Sequence, residues 1–294
     1  MTTKLILDTD IGTDVDDAVA LAYLLAQPEC DLLGITTVTG EPVKRASLAS
    51  VLCRKAGRDI PIYPGAEQPL GVEQRQPIAQ HAAALPRWAH DTQFPEGQAV
   101  DFLRSTIHDN PGEVVLVTIG PLTNIAQLFQ ADAEVPALLK GLVIMGGIFT
   151  PGNDKAEWNL GGDPHASEIV YRTPVRLHRS LGLDVTNQVF LHPHEARALF
   201  TAPLLEPVLD FAEIWFTQYT NPPGITFHDP LTAAVVFDET LCTYARGTVT
   251  IDMQNQPGRS VFQAGTPDAP HQVATTVDVR RYMEHFFGVM NAHA

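Results

Sequence analysis

Cysteine, basic side chains and long apolar runs are all scarce in this sequence. The three cysteines, Cys30, Cys53 and Cys242, are too few for a disulfide framework and lack metal-site spacing, so we expect a reducing, cytoplasmic setting. Lys and Arg total 19 against 34 Asp and Glu, and the net charge of −15 disfavours binding to nucleic acid or anionic membranes. No apolar run approaches the roughly 20 residues of a membrane-spanning helix, and the first residues do not fit a signal peptide.

The sequence does contain enough apolar residues for a large core, arranged as short strands that alternate with amphipathic helices. Hydrophobic residues make up 45% of the chain and charged residues 18%. Strands separated by helices pair in parallel, and continuously apolar strands are covered on both faces. We therefore predict an α/β fold in one domain, residues 1–294, with a mainly parallel central sheet flanked by helices and a Rossmann-like core. Strands are predicted at residues 4–7, 32–38, 114–118, 141–145, 242–251 and 273–278, and helices at 17–27, 43–56, 99–108, 121–130, 203–218 and 231–237.

An acidic cluster follows the first predicted strand directly. Carboxylates about 4 Å apart repel by about 4 kcal/mol at an effective dielectric of about 20, and no Lys or Arg occurs between Lys4 and Lys44. A hard cation with oxygen ligands, such as Ca²⁺ or Mg²⁺, is the interpretation we favour, and capping of the next helix is the alternative. The loop is not an EF-hand, because Thr13 and Val19 stand where Gly and Glu are required. The cluster consists of Asp8, Asp10, Asp14, Asp16 and Asp17.

Polar segments also follow later strands, at the edge where open α/β sheets bind ligands. A tight turn at residues 119–124 exposes backbone carbonyls, although ordinary turn chemistry explains its Gly and Pro equally well. A Glu, a Trp and an Asn at residues 157–159 combine hydrogen-bonding groups with an aromatic ring, as a sugar site requires. His228 can serve acid–base chemistry near neutral pH, whereas Asp229 also fits a simple helix cap.

Taken in order, these segments resemble the inosine–uridine-preferring nucleoside hydrolase family over nearly the whole chain. That family opens with a strand and a DxDPGxDDA-like motif, which residues 8–18 match with a longer loop. The resemblance implies the nucleoside hydrolase fold and Ca²⁺-dependent hydrolysis of the N-glycosidic bond of ribonucleosides. It also implies a small nucleoside as the binding partner and a homodimer or homotetramer. Further matching blocks are residues 35–40, 63–65, 120–124, 145–147, 151–153, 157–159, 163–164, 182–186 and 228–229.

The resemblance assigns a set of metal ligands. The side chains of Asp10, Asp17 and Asp229 would bind Ca²⁺ together with the backbone carbonyl of Ile119. Asp8 would orient this set of ligands from behind. The ion would position a water and lower its pKa, and Asp10 would act as the base that takes the proton of that water.

The resemblance also assigns the residues that hold the sugar. Asp16 and Asn159 would bind ribose hydroxyls, with Asn159 on the 2′/3′ side. Asn153 and Glu157 would hold the 5′-hydroxyl. Trp158 occupies a position that is usually Phe and belongs to the same substrate-binding segment.

The residues at the leaving base are assigned less directly. His228 matches the proton donor of the family, and a general acid of this kind contributes roughly 10²–10⁴-fold to rate. His81 falls near a base-pocket histidine of some members when it is counted from Gly65. We expect both residues to face the nucleobase.

Three departures from the family pattern affect the site. The acidic motif is two residues longer, which adds Asp14 without an assigned role. Glu41 stands where many members carry an Asn that touches the sugar, so it either accepts from a hydroxyl or recognises something other than a plain ribose. A solvated acid before Pro42 is the other interpretation. The segment 67–94 lacks the expected Gly-rich pattern, and we expect it to contribute to the base pocket.

Two alternatives belong to other functional classes. Asp8-Thr9-Asp10-Ile11 fits four positions of the motif of haloacid-dehalogenase-like phosphatases, although Gly12 stands at the fifth. A non-catalytic, Ca²⁺-dependent nucleoside- or sugar-binding protein of the same fold is the second alternative, which Glu41 and the altered segment 67–94 leave open. The hydrolase interpretation predicts an oxocarbenium-like transition state and no covalent intermediate, unlike retaining O-glycosidases.

Overall fold

A large sheet with helices on both faces forms the centre of the protein, and the computed structural model describes residues 2–218 and 223–292. The strands are β1 (Thr3–Thr9), β2 (Cys30–Thr37), β3 (Ile62–Pro64), β4 (Val115–Thr118), β5 (Gly141–Met145), β6 (His178–Leu181), β7 (Phe190–Leu191), β8 (Ile225–Thr226), β9 (Cys242–Asp252), β10 (Arg259–Ala264) and β11 (His271–Val277). The helices are α1 (Asp16–Ala26), α2 (Pro42–Lys55), α3 (Ala99–Asp109), α4 (Thr123–Ala131), α5 (Val135–Leu138), α6 (Trp158–Gly162), α7 (Pro164–Arg172), α8 (Leu183–Thr186), α9 (Pro193–Leu199), α10 (Glu206–Gln218), α11 (His228–Ala234) and α12 (Val279–Asn291).

The sheet is mainly parallel, as the sequence predicts. Within the described residues its order is β10-β9-β11-β6-β5-β4-β1-β2-β3. Strands β1 to β6 and β11 run parallel, whereas β9 and β10 add an antiparallel hairpin at one edge. The short strands β7 and β8 form a separate antiparallel pair. None of the described helices is long and apolar enough to cross a membrane.

The central strand β1 is buried on both faces. Leu5 and Leu7 pack into one hydrophobic cluster and Ile6 into the other, and all three side chains have no exposed surface. A continuously apolar strand suits this position because helices cover both sides of the sheet. Strands β1, β4 and β5 are neighbours and run parallel, so their carboxyl ends lie at one edge.

Helix α3 packs closely against β2 at a glycine. The pairing of β1 with β2 shifts register between Leu5 and Ile6, and Gly34 is the partner of Ile6. A Cβ atom built at Gly34 would lie 2.2 Å from Cζ of Phe102, whose ring stacks on Tyr63 with centroids 4.3 Å apart. The missing side chain of Gly34 thus provides the space for this aromatic pair.

We expect Gly34→Ala to lower the free energy of unfolding by about 1–3 kcal/mol, because the added methyl group displaces the Phe102 ring. Gly288→Ala is the matched control, since Gly288 lies in α12 with no atom within 4 Å of a built Cβ. That variant should gain up to about 1 kcal/mol from helix propensity. Urea denaturation of both variants measures the difference. Equal stabilities would contradict the proposed packing.

Candidate active site

A cavity of about 230 Å³ lies at the carboxyl ends of β1, β4 and β5. Open α/β sheets bind ligands at this edge. The cavity is lined by residues at or just after the ends of these strands, by the first turns of α1, α6 and α11, by Gln76 and by one residue of α10. Among the sequence-predicted site residues it brings together Asp10, Asp16, Asp17, Ile119, Trp158, Asn159, His228 and Asp229, and its other lining residues are Thr13, Asp14, Gln76, Met145 and Trp215.

Three buried carboxyl groups meet on one side of the cavity. Asp16, Asp17 and Asp229 each offer an oxygen atom, and these atoms lie within 4.8 Å of one another. The backbone amide of Asp229 donates to Oδ2 of Asp16 at 3.1 Å, and the Thr9 hydroxyl donates to Oδ1 of Asp17. Burial raises the pKa of all three carboxyl groups well above its usual range, and neighbouring carboxylates raise it further. Clustered oxygen atoms of this kind suit a hard divalent cation.

Helix capping does not account for these carboxylates. Helix α1 begins at Asp16 after Val15, and no side chain accepts a hydrogen bond as its cap. Helix α11 begins at His228 after Phe227, so Asp229 lies in the first turn, and the capping interpretation of Asp229 is wrong. Both helices begin with cavity-lining residues, so the positive ends of their dipoles lie near the anionic group.

The Asp10 carboxylate is held from two sides. The Nε2 group of Gln76 donates to Oδ2 of Asp10 at 2.9 Å. On the other side, a Cβ atom built at Gly120 would lie 2.8 Å from Oδ1, so only glycine leaves room for this oxygen. Burial raises the pKa of Asp10, and the charge of Arg45 opposes that shift.

Arg45, to which the sequence gave no role, supports the loop that carries Asp10. This fully buried side chain of α2 donates to the backbone carbonyl of Asp10, to that of Ile11 at 3.2 Å and to that of Gly40 at 2.7 Å. The lack of basic residues near the acidic motif in sequence therefore does not describe the charge around the folded site. Because Arg45 contacts carbonyl oxygens, it orders the loop without pairing with a carboxylate.

Asp8 does not line the cavity, and its side chain has no exposed surface. Its Oδ1 accepts from the Thr36 hydroxyl and from Nδ2 of Asn124 at 2.7 Å. Its Oδ2 has no hydrogen-bond partner among the described residues. Burial raises the pKa of Asp8 to about 7, although both hydrogen bonds act in the opposite direction. Its role behind a metal site stays a prediction.

Asn159 and Trp158, at the start of α6, also line the cavity. The Nδ2 group of Asn159 donates to the carbonyl oxygens of Ile119 at 3.1 Å and Met145 at 3.3 Å. These contacts fix the Ile119 carbonyl, the predicted backbone ligand, beside the cavity. Trp158 is 56% exposed, and its indole N–H donates to Oε1 of Gln76 at 2.8 Å.

Glu157 and Asn153 are not among the cavity-lining residues. The buried Glu157 carboxylate accepts from three backbone amides at 2.8–3.1 Å and caps α6. Asn153 exchanges hydrogen bonds with Lys155 inside its own loop. Their contacts with a 5′-hydroxyl stay predictions, and capping is a role of Glu157 that the sequence did not indicate.

Glu41 and His81 also lie outside the cavity lining. Glu41 has a left-handed backbone with φ of 59°, pairs with Lys44 and accepts the amide of Ala79 at 3.0 Å. The His81 ring stacks on Phe211 at 5.8 Å between centroids, and neither ring nitrogen has a hydrogen-bond partner among the described residues. Burial lowers the pKa of His81 to about 3, so the ring is neutral at pH 7. Their substrate contacts stay predictions.

His228 faces the cavity from the start of α11. Its Nδ1 lies 2.7 Å from the Thr186 hydroxyl, and burial lowers the pKa of His228 to about 4. The ring is therefore neutral at pH 7. A Thr186 hydroxyl that donates to Nδ1 leaves the ring proton on Nε2, the tautomer that can donate to a ligand.

Gln76, Trp215 and Asp14 are cavity residues to which the sequence gave no role. Gln76 belongs to the segment 67–94, which reaches the cavity through this side chain. Trp215 lies in α10, and its indole N–H donates to the carbonyl of Gly224 at 2.9 Å. Asp14, in the two-residue extension of the acidic motif, bonds the Val15 amide at 2.6 Å. Only Asp14 could have been selected from its neighbours in sequence, because it lies in the acidic motif. Gln76 and Trp215 come from distant parts of the sequence.

Comparison with known proteins gives concordant matches along the chain. The family described as inosine-uridine preferring nucleoside hydrolase matches residues 5–284. Uridine nucleosidase 1 of Arabidopsis thaliana is 29% identical, with 96% of this chain and 91% of that protein covered. Non-specific ribonucleoside hydrolase RihC of Escherichia fergusonii is 33% identical, with 97% of each covered. The purine-preferring ribonucleoside hydrolase from Gardnerella vaginalis superimposes with a TM-score of 0.85 at 28% identity, covering 99% of both chains.

The raised pKa of Asp8 predicts a pH-dependent contribution to stability. In chelator, the folded protein holds this proton up to about pH 7, whereas the unfolded chain releases it near pH 3.9. The contribution is thus complete below about pH 4 and is lost as the pH rises to about 7. Asp8→Asn mimics the protonated group, so wild type should lose stability relative to this variant between these pH values. Asp109→Asn, an exposed control, should show no such trend in urea denaturation.

Proposed function

The chain belongs to the inosine–uridine preferring nucleoside hydrolase family and is a nucleosidase that hydrolyses the N-glycosidic bond of ribonucleosides, and on this premise we propose a Ca²⁺-dependent reaction in the cavity. The observation that carries the proposal is the convergence of four buried aspartates, Asp10, Asp16, Asp17 and Asp229, at the carboxyl edge of the sheet. Because the chemistry of the family depends on a metal, we interpret these carboxylates as groups that bind the ion and the sugar. The products are a free nucleobase and ribose.

The donor set fits a calcium ion. The oxygen atoms of Asp16, Asp17 and Asp229 lie within 4.8 Å of one another, and their side chains are buried. Burial and mutual repulsion raise the pKa of each carboxyl, so a cation would relieve an unfavourable arrangement of charge. We propose that Asp17 and Asp229 of this group hold the ion together with Asp10 and the Ile119 carbonyl. Asp16, the third member of the group, binds the ribose instead, and Asp10 is not one of the three carboxyl groups that lie within 4.8 Å of one another. When bound, Ca²⁺ would supply Lewis-acid chemistry that orients a water and lowers its pKa.

The protein groups would divide the remaining work between the two ends of the scissile bond. Water oxygen bonds to C1′ of the ribose while the bond from C1′ to the base nitrogen breaks. Asp10 takes the proton of the attacking water, and the protonated fraction of His228 donates its Nε2 proton to the departing base and returns to the neutral ring. The carboxylates around the sugar stabilise the positive charge that develops in an oxocarbenium-like transition state. Asp16, Asn159 and Trp158 bind the ribose.

The acidic lining favours a neutral nucleoside over a nucleotide. A phosphate group would meet the negative charges of Asp10, Asp14, Asp16 and Asp17, and like charges in a partly buried site repel strongly. Family membership also decides against the phosphatase interpretation of the Asp8-Thr9-Asp10-Ile11 pattern. The named substrates of the relatives differ, so the proposal includes purine and pyrimidine ribonucleosides.

Asp10→Asn should abolish turnover without unfolding the protein, because the amide cannot accept the proton of water. We expect kcat to fall by at least about 10²–10⁴-fold. The measurement is release of reducing sugar from inosine, guanosine, uridine and cytidine. Asp109→Asn, an exposed change of the same type in α3, is the control. Wild-type turnover by Asp10→Asn would exclude Asp10 as the base, and a wild type that binds nucleosides without cleaving them would refute the proposed function.

Removal of Ca²⁺ should lower both activity and stability. An ion that binds only the folded state at 100 times its Kd adds about 2.7 kcal/mol to the free energy of unfolding. Thermal melting in chelator and after Ca²⁺ is restored measures this gain, alongside sugar release. Asp17→Asn should lose most of the gain, whereas Asp109→Asn should retain it. Full activity after exhaustive chelation would contradict the role of the metal.

A further inference from the structure

Gln76 connects two groups of the site and has no role in the mechanism above. We propose that Gln76 is a positioning residue that fixes the Asp10 carboxylate and makes its placement depend on Trp158. This inference rests on the proposed function, in which Asp10 is the base. The side chain is only 7% exposed, yet it lines the cavity.

The hydrogen bonds of Gln76 define the orientation of its amide group. An indole N–H can only donate, so the Gln76 atom that faces Trp158 at 2.8 Å must be the amide oxygen. The Nε2 group therefore faces Asp10, where it donates to Oδ2 at 2.9 Å. Rotation of the amide by half a turn would place a donor against a donor and an oxygen against a carboxylate. Trp158 thus selects the orientation in which Gln76 can hold Asp10.

The backbones of Gln76 and Asp10 are tied to each other by one side chain. The guanidinium of Arg45 donates to the Gln76 carbonyl at 3.4 Å and also to the Asp10 carbonyl. The backbone N–H of Gln76 donates to Oε1 of Gln74 at 2.8 Å, which holds the segment 67–94 on the other side of Gln76. The backbones of both residues in the contact between Gln76 and Asp10 are therefore held by hydrogen bonds.

Only one carboxylate oxygen of Asp10 is engaged by Gln76. The other oxygen, Oδ1, lies against Gly120, the residue next to the Ile119 carbonyl. Fixing Oδ2 consequently sets where Oδ1 points within the cavity. A displacement of about 1 Å in a reacting group can reduce rate by about 10²-fold. A residue that sets this angle should affect kcat more than substrate binding.

Gln76→Met tests the inference, because it keeps the length of the side chain and removes both hydrogen bonds. We expect kcat to fall by roughly 10–100-fold while KM changes by less than about threefold. Gln68→Met, at an exposed position in the same segment 67–94, is the matched control and should keep the wild-type kcat. Trp158→Phe keeps an aromatic ring but removes the indole N–H, so it should lower kcat by a smaller factor and raise KM as well.

Gln76→Glu is the second variant if the Met variant does not fold. It keeps the acceptor for Trp158 and removes the donor to Asp10, and it should also lower kcat with little change in KM. A kcat within twofold of wild type in either folded variant, or a rise in KM alone, would overturn the inference. The latter result would indicate direct substrate contact.

Crystal structures of Gln76→Met and Gln68→Met provide a readout that does not depend on turnover. The Asp10 carboxylate should rotate in the first variant and keep its position in the second. An unmoved Asp10 in Gln76→Met would refute positioning even if the protein were inactive on every nucleoside. Inactivity of the wild type, by contrast, would refute the proposed function and leave the structural comparison valid.

Discussion

Repulsion among buried carboxylates is the constraint on which the organisation of this protein depends. Asp10, Asp16, Asp17 and Asp229 lie together at one edge of the sheet, where burial raises the pKa of each group. An arrangement of this kind lowers stability unless a cation or nearby dipoles compensate it. The surrounding structure supplies part of that compensation through the first turns of α1 and α11, and an oxygen-binding cation would supply the rest.

Groups outside the acidic motif hold the carboxylates in place. Arg45 binds backbone carbonyls beneath the loop, Gly120 leaves space for Asp10, and Asn124 engages Asp8 from behind. These residues come from three different elements, α2, the turn after β4, and α4. Most of the site's carboxylates thus come from one short motif, while their placement depends on contacts distant in sequence.

The limits of prediction from sequence follow from the same division. Continuous apolar runs predicted β1, β2, β4 and β5, because both faces of a central strand must be buried. The strand β6 was not predicted: its His178, Arg179 and Ser180 are polar yet buried, since neighbours on both sides impose the pairing. The hairpin strand β10 and the helix α12 were missed as well. Most cavity-lining residues at strand ends could be predicted, although their roles stay predictions. Arg45 and Gln76 could not, because no local sequence pattern indicates a long-range hydrogen bond.

Helix α1 is buried along its whole length, from Asp16 to Ala26. We therefore expect its amino-terminal end, which carries Asp16 and Asp17, to unfold together with the central sheet rather than to open locally. We therefore expect the backbone amides in the middle of α1 to be among the slowest to exchange with solvent. Trp158, by contrast, is 56% exposed, so fewer packing contacts constrain its side chain. We expect ligands of different size to shift Trp158 more than they shift α1.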